Sequence, residues 1–126
     1  MSGGRLLLVA AMLGVGVAGF VLLATGESGL ILPGALLAFG IGWGWPGLFN
    51  FAVVKTSPGA PAAATGITQT GASGGAAFGP LVFGLLVEVA SYHVAWLVSG
   101  ATALVALVTI LIGRRRLLRD RRAETP

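Results

Sequence analysis

Few side chains in this sequence can do chemistry, and most of them lie inside apolar stretches. A polar group there is costly unless it finds a partner or water. Thr65, Gln69 and Ser73 recur at i, i+4 and i+8, which puts them on one face of a helix. Phe39, Trp43, Pro46 and Asn50 share a face of the preceding apolar run. Two accounts of these faces stand side by side. In one, Asn50 and Gln69 bond to neighbouring helices, each bond worth about 1 kcal/mol or less in a bilayer. In the other, both faces line a water-filled cavity, for which an aromatic ring and an amide on one kinked helix are suited.

Other chemistry is sparse. Glu88 is the only acidic residue inside an apolar run. A carboxylate at membrane depth can carry protons, but this one lies near a helix end, where it reads as an interfacial anchor. His93, beside Tyr92 and close to Trp96, reads as part of an interface belt. With no cysteine and no clustered carboxylates, a single histidine makes no metal site. No Ser-His-acid set, carboxylate pair or Gly-x-x-x-x-Gly-Lys loop appears. The expectation is a protein without catalytic residues, metal or cofactor.

The elements that position these residues are apolar spans. Hydrophobic residues make up 56% of the 126 and charged residues only 10%, with a mean hydropathy of +0.93. Soluble domains carry roughly a quarter charged residues, so this chain cannot cover a water-facing surface. Four runs, about 6–25, 30–54, 62–90 and 94–113, each approach or exceed the ~20 residues that cross a bilayer as a helix. The first is too long for a signal-peptide core of about 7–15 residues. Pro33 is expected in the first turn of the second span, where its missing N–H costs nothing. Pro46 is expected to kink that span near Gly42 to Pro46. The stretch from Lys55 to Pro61 is a turn rich in helix breakers.

Charge sets the orientation. Six of the eight basic residues fall in the tail 114–126. If the four spans alternate, Arg5, Lys55 and that tail share one side, while Glu27, Glu88 and His93 share the other. The positive-inside rule then makes both termini cytoplasmic and the protein a multi-pass component of the cell membrane. The net charge of +4 is a topology signal, and no nucleic-acid partner is expected, since no polar domain carries a basic groove.

Glycine is abundant at 21 residues, as expected of helices packed along small-residue ridges. Gly71, Gly75 and Gly79 recur every fourth residue on the third span, and Gly40 and Gly44 form a shorter version on the second. The plain account is helix packing; a further one is sliding of smooth ridges during a conformational cycle. From 62 to 77 the third span has Ile67 as its only large apolar residue. Such a segment gains little from lipid and is expected to be surrounded by helices.

Within that span, Gly75-Ala76-Ala77-Phe78-Gly79-Pro80-Leu81-Val82-Phe83-Gly84 resembles the Gly-x-x-x-Gly-Pro-x-x-x-Gly pattern in the eleventh helix of major facilitator superfamily transporters. The 40–55 stretch with Pro46, and the turn leading to Ala64-Thr65-Gly66, are similar to that family's tenth helix and the loop after it. The last span with its basic tail resembles the twelfth, and the first stands for the ninth. The resemblance implies an all-α membrane protein that alternates access around a midplane site. It implies that Trp43 and Asn50 face the solute and that Gln69 and its neighbours face the cavity or the opposite half; together with the faces read above, the candidate cavity-lining residues are Phe39, Trp43, Asn50, Thr65, Gln69 and Ser73. It implies that the Gly75 to Gly84 segment sits near the moving interface between halves, and the candidates for helix packing and gating are Gly40, Gly44, Pro46, Gly71, Gly75, Gly79, Pro80 and Gly84. It also implies that the chain needs an eight-helix N-terminal segment, or association with itself, besides lipid and solute. The alternative is an autonomous four-helix protein, either a small oligomeric exporter or a structural subunit. Against the exporter, 6–25 lacks the mid-helix acid on which such proteins rely.

Overall fold

A computed structural model describes residues 2–123. All regular structure among them is helical: α1 (Ser2–Ala24), α2 (Ser28–Ala35), a π-helical segment (Leu36–Ile41), α3 (Trp45–Thr56), α4 (Pro61–Val89) and α5 (Tyr92–Ala123). These make four spans long and apolar enough to cross a membrane: Gly4–Ala24, Ser28–Thr56, Pro61–Val89 and Tyr92–Arg119.

The second span is the broken one. It starts at Ser28, two residues earlier than the apolar run, so Pro33 sits in the second helical turn and leaves the Gly29 carbonyl without its i+4 donor. The π segment comes next, with Gly42 N–H donating to Leu37 O at 2.9 Å. Residues 42–44 then leave the helix, and α3 restarts with Pro46 at its N-terminus, where no intrahelical donor is needed. The break lies where Pro46 predicts it, and the π segment extends it one and a half turns upstream.

Tight ends join the spans. Gly26, at φ 71, takes the left-handed conformation that stops α1. Between α3 and α4, Pro58 and Gly59 occupy the centre of a turn closed by Ala60 N–H to Ser57 O at 3.2 Å. Ser91 caps α5, its Oγ accepting from Val94 N–H at 3.3 Å.

Helix α1 is the hub. It packs along α5 and along the whole second span, and it holds most of the buried side chains: Leu6, Val9, Ala10, Leu13, Leu23 and Ala24. Ala38, Ala52 and Ala95 are the small apolar residues buried on the other elements. The glycines of α1 make the close approach. A Cβ on Gly19 would lie 2.8 Å from Gly34 O and 2.9 Å from Ala38 Cα; one on Gly42 would lie 2.8 Å from Gly16 Cα. Real side-chain atoms do not sit that near backbone, so these positions need glycine.

Helix α4 differs. It packs on α3 and α5, and among the described residues it makes no contact with α1. None of its 29 residues is buried. The tail residues up to Ala123 continue α5 as one helix. Because α5 runs antiparallel along α1, this carries its arginines to the end of the bundle where Arg5 lies.

Candidate solute pathway

Of the polar residues singled out from sequence, Asn50 lies where α3 meets α4. Asn50 Oδ1 lies 3.3 Å from Thr68 Oγ1, a side-chain contact between the second and third spans. The Thr68 hydroxyl also reaches Thr65 O at 2.9 Å, the shorter of its two partners. One proton cannot serve both fully. With the Asn50 amide turned over, Nδ2–H donates to Thr68 Oγ1 while the hydroxyl keeps the Thr65 carbonyl, which satisfies all three groups. Thr68 carries no mark in the sequence beyond its type, and only the pairing of helices reveals it.

The rest of the α4 face is open. The Thr65 hydroxyl donates back to Pro61 O, and Thr70 to Gly66 O at 2.9 Å, so both are satisfied within their own helix. Gln69 and Ser73 are exposed, and neither makes a hydrogen bond among the described residues. Trp43 is 67% exposed just past the π segment.

Phe39 has ring neighbours on two other spans. Its ring lies 6.0 Å from Phe20 and 6.3 Å from Trp96, edge-on to both. Trp96 also stacks on Phe20 at 6.1 Å and meets Phe83 edge-on at 4.7 Å. Rings from α1, the π segment, α4 and α5 thus converge on Trp96. Such pairs contribute about 0.5–1.5 kcal/mol each beyond their area. Read from sequence, Trp96 belongs only to an interface belt; nothing local shows that it joins all four spans.

The glycines divide in the same way. A Cβ at Gly40, Gly71, Gly75, Gly79 or Gly84 would meet nothing within 4 Å, whereas one at Gly44 would run into the Met12 side chain. Pro80 lies inside α4 and is exposed.

At the end opposite the arginines, His93 Nδ1 bonds to Ala24 O and so ties the start of α5 to the last carbonyls of α1. Beside it is a cavity of about 320 Å³ lined by Leu23, Ile31, Tyr92, His93 and Trp96. Glu88 is exposed at this end. Among the described residues, no group of three or more His, Cys, Asp or Glu stands ready for a metal.

The model of the Major Facilitator Superfamily matches residues 2–126. The chain belongs to that superfamily. Its members are membrane transporters of small solutes, not enzymes, and the four apolar spans fit a multi-pass membrane protein in contact with lipid. No curated protein and no solved structure matches the chain.

Proposed function

We propose that the four spans serve as helices nine to twelve of a facilitator-type secondary transporter, with the second and third lining the path of a small solute. Membership of the superfamily supplies the activity class. The observation that carries the assignment of the path is the α4 face itself. Gln69 and Ser73 lie inside a membrane span, exposed and without hydrogen-bond partners among the described residues. In hydrocarbon each such group costs several kcal/mol, on the order of a lost hydrogen bond or more, so the face must meet water or other helices. Asn50, joined to Thr68, and the exposed Trp43 extend the same lining onto the second span. The cover that α4 lacks is supplied by further helices, those of an eight-helix partner segment or of a second copy.

The chain has no cysteine, so single cysteines can be read without background. Cysteines at Gln69, Ser73 and Trp43 are expected to react with a membrane-impermeant thiol reagent, while one at Leu104 on the far helix stays unreactive. Silence at all three path positions would remove the aqueous lining. Orientation is tested in the same way in intact cells: Ser28→Cys is expected to label from outside and Ser57→Cys to be protected, as both termini in the cytoplasm require. Solute uptake into liposomes by the 126-residue chain alone would instead favour an autonomous oligomeric carrier in the cell membrane.

A further inference from the structure

We propose that the basic end of the bundle holds the phosphate of an anionic membrane phospholipid between Arg5 and Lys55. The two cations come from different spans and are gathered on one ring. The Arg5 guanidinium carbon lies 4.5 Å from the centroid of Phe51, and the Lys55 ammonium 5.8 Å from the same centroid. Their separation is therefore no more than the sum of those distances, a gap that one phosphodiester with its oxygens and a bridging water can close. Among the described residues neither cation has an ion-pair partner. Two like charges gathered on a partly apolar surface repel each other until an anion sits between them.

Depth decides the source of that anion. The apolar run of the first span starts at Leu6 and that of the second ends at Val54, so Arg5 and Lys55 are the charged residues that directly border them. That is headgroup level. Phe51, one turn deeper than Lys55, is 46% exposed and offers its ring to an acyl chain. Thr56 does not compete for the phosphate, because its hydroxyl donates to Ala52 O and Val53 O at 3.0 and 3.1 Å. The arginines of α5 arrive at the same end and strengthen the field there. Two fixed cations over-neutralise one phosphate. A zwitterionic headgroup would add a third positive charge, whereas phosphatidylglycerol or cardiolipin would not.

The test uses the whole chain, extracted directly from a membrane containing phosphatidylglycerol and phosphatidylethanolamine into polymer-bounded nanodiscs, with the retained lipid measured by mass spectrometry. The expected result is a phosphatidylglycerol-to-phosphatidylethanolamine ratio raised roughly fivefold over the bulk membrane, the factor one basic residue is worth at an anionic surface. Arg5→Gln with Lys55→Gln returns the ratio to bulk. The charge-keeping pair Arg5→Lys with Lys55→Arg preserves it, which separates loss of charge from loss of fold. Arg115→Gln with Arg116→Gln keeps most of the enrichment. A bulk-like ratio for the unaltered chain, or equal loss from the tail pair, overturns the proposal. So does displacement of the lipid by millimolar inorganic phosphate, which assigns the pair to a free anion.

Discussion

Two glycine-rich regions of this chain look alike in sequence and behave differently in the fold. Gly16, Gly19, Gly34 and Gly42 lie buried where α1 meets the second span, with backbone so close that a Cβ at Gly19 or Gly42 has no room. Gly71, Gly75 and Gly79 on α4 have the more regular spacing, yet a Cβ at any of them meets nothing within 4 Å. Spacing marks a face without side chains; it does not say what covers the face. In a bilayer, lipid tails are as apolar as leucine, so contact between helices must come from dispersion and shape. The α1 interface holds the first, second and fourth spans together. The α4 ridge is free for a surface that is not among them.

Gly19→Leu is the sharpest way to break that comparison. Its Cβ would stand within 3 Å of Gly34 O and Ala38 Cα, which are backbone atoms that cannot rotate away. The helices must separate, and overpacking of this kind costs about 1–3 kcal/mol or more. The expected outcome is a large loss of thermal stability in detergent, read by the melting of helical circular dichroism. A variant as stable as the parent would mean that α1 and the second span do not pack through these glycines.

Trp96→Ala comes next. It removes the ring that touches Phe20, Phe39 and Phe83, and with it the aromatic link from α4 to the other spans. Because Trp96 is only half-buried, the expected cost is about 2–3 kcal/mol, at or below the usual range for a buried tryptophan. Limited proteolysis is expected to cut the turn at 57–60 sooner in this variant, as α4 loses one of its two attachments. Unchanged cleavage would show that the Asn50–Thr68 contact and the connecting turns hold α4 alone.

The two regions also differ in how far the residues betray them. The spans and the break at Pro46 are legible because length, apolar runs and the chemistry of proline act locally. The start of α2 at Ser28 is not, since Ser28-Gly29 reads equally well as the end of the turn after Gly26, and Pro33 sits in the second helical turn rather than the first. Nor is the π segment, whose Leu36–Ile41 sequence is ordinary helix-forming material distorted by the break at residues 42–44. The partners of Asn50 and Trp96 depend on how spans pair, a long-range fact that no single stretch contains. For the same reason, Gly19 could not be chosen over Gly75: both are glycines among small residues, and only the neighbour differs.

The smallest expected effect on the fold is that of Gly75→Leu, and it is the most informative. No atom of another span lies within 4 Å of the new Cβ, so the four-span unit loses no packing and stability is expected to stay within about 0.5 kcal/mol of the parent. If the α4 face is instead the surface on which other helices of the transporter close, an isobutyl group there holds the backbones apart with no hydrophobic gain in return. The variant is then expected to melt like the parent while failing to associate, with an eight-helix partner segment in co-expression or with a second copy in native electrophoresis. Gly113→Leu, near the start of the basic tail and equally uncrowded, leaves both readouts unchanged. A Gly75→Leu chain that melts early would place the ridge inside the four-span unit after all. One that melts normally and still associates would leave the ridge facing lipid, where its lack of side chains serves no contact.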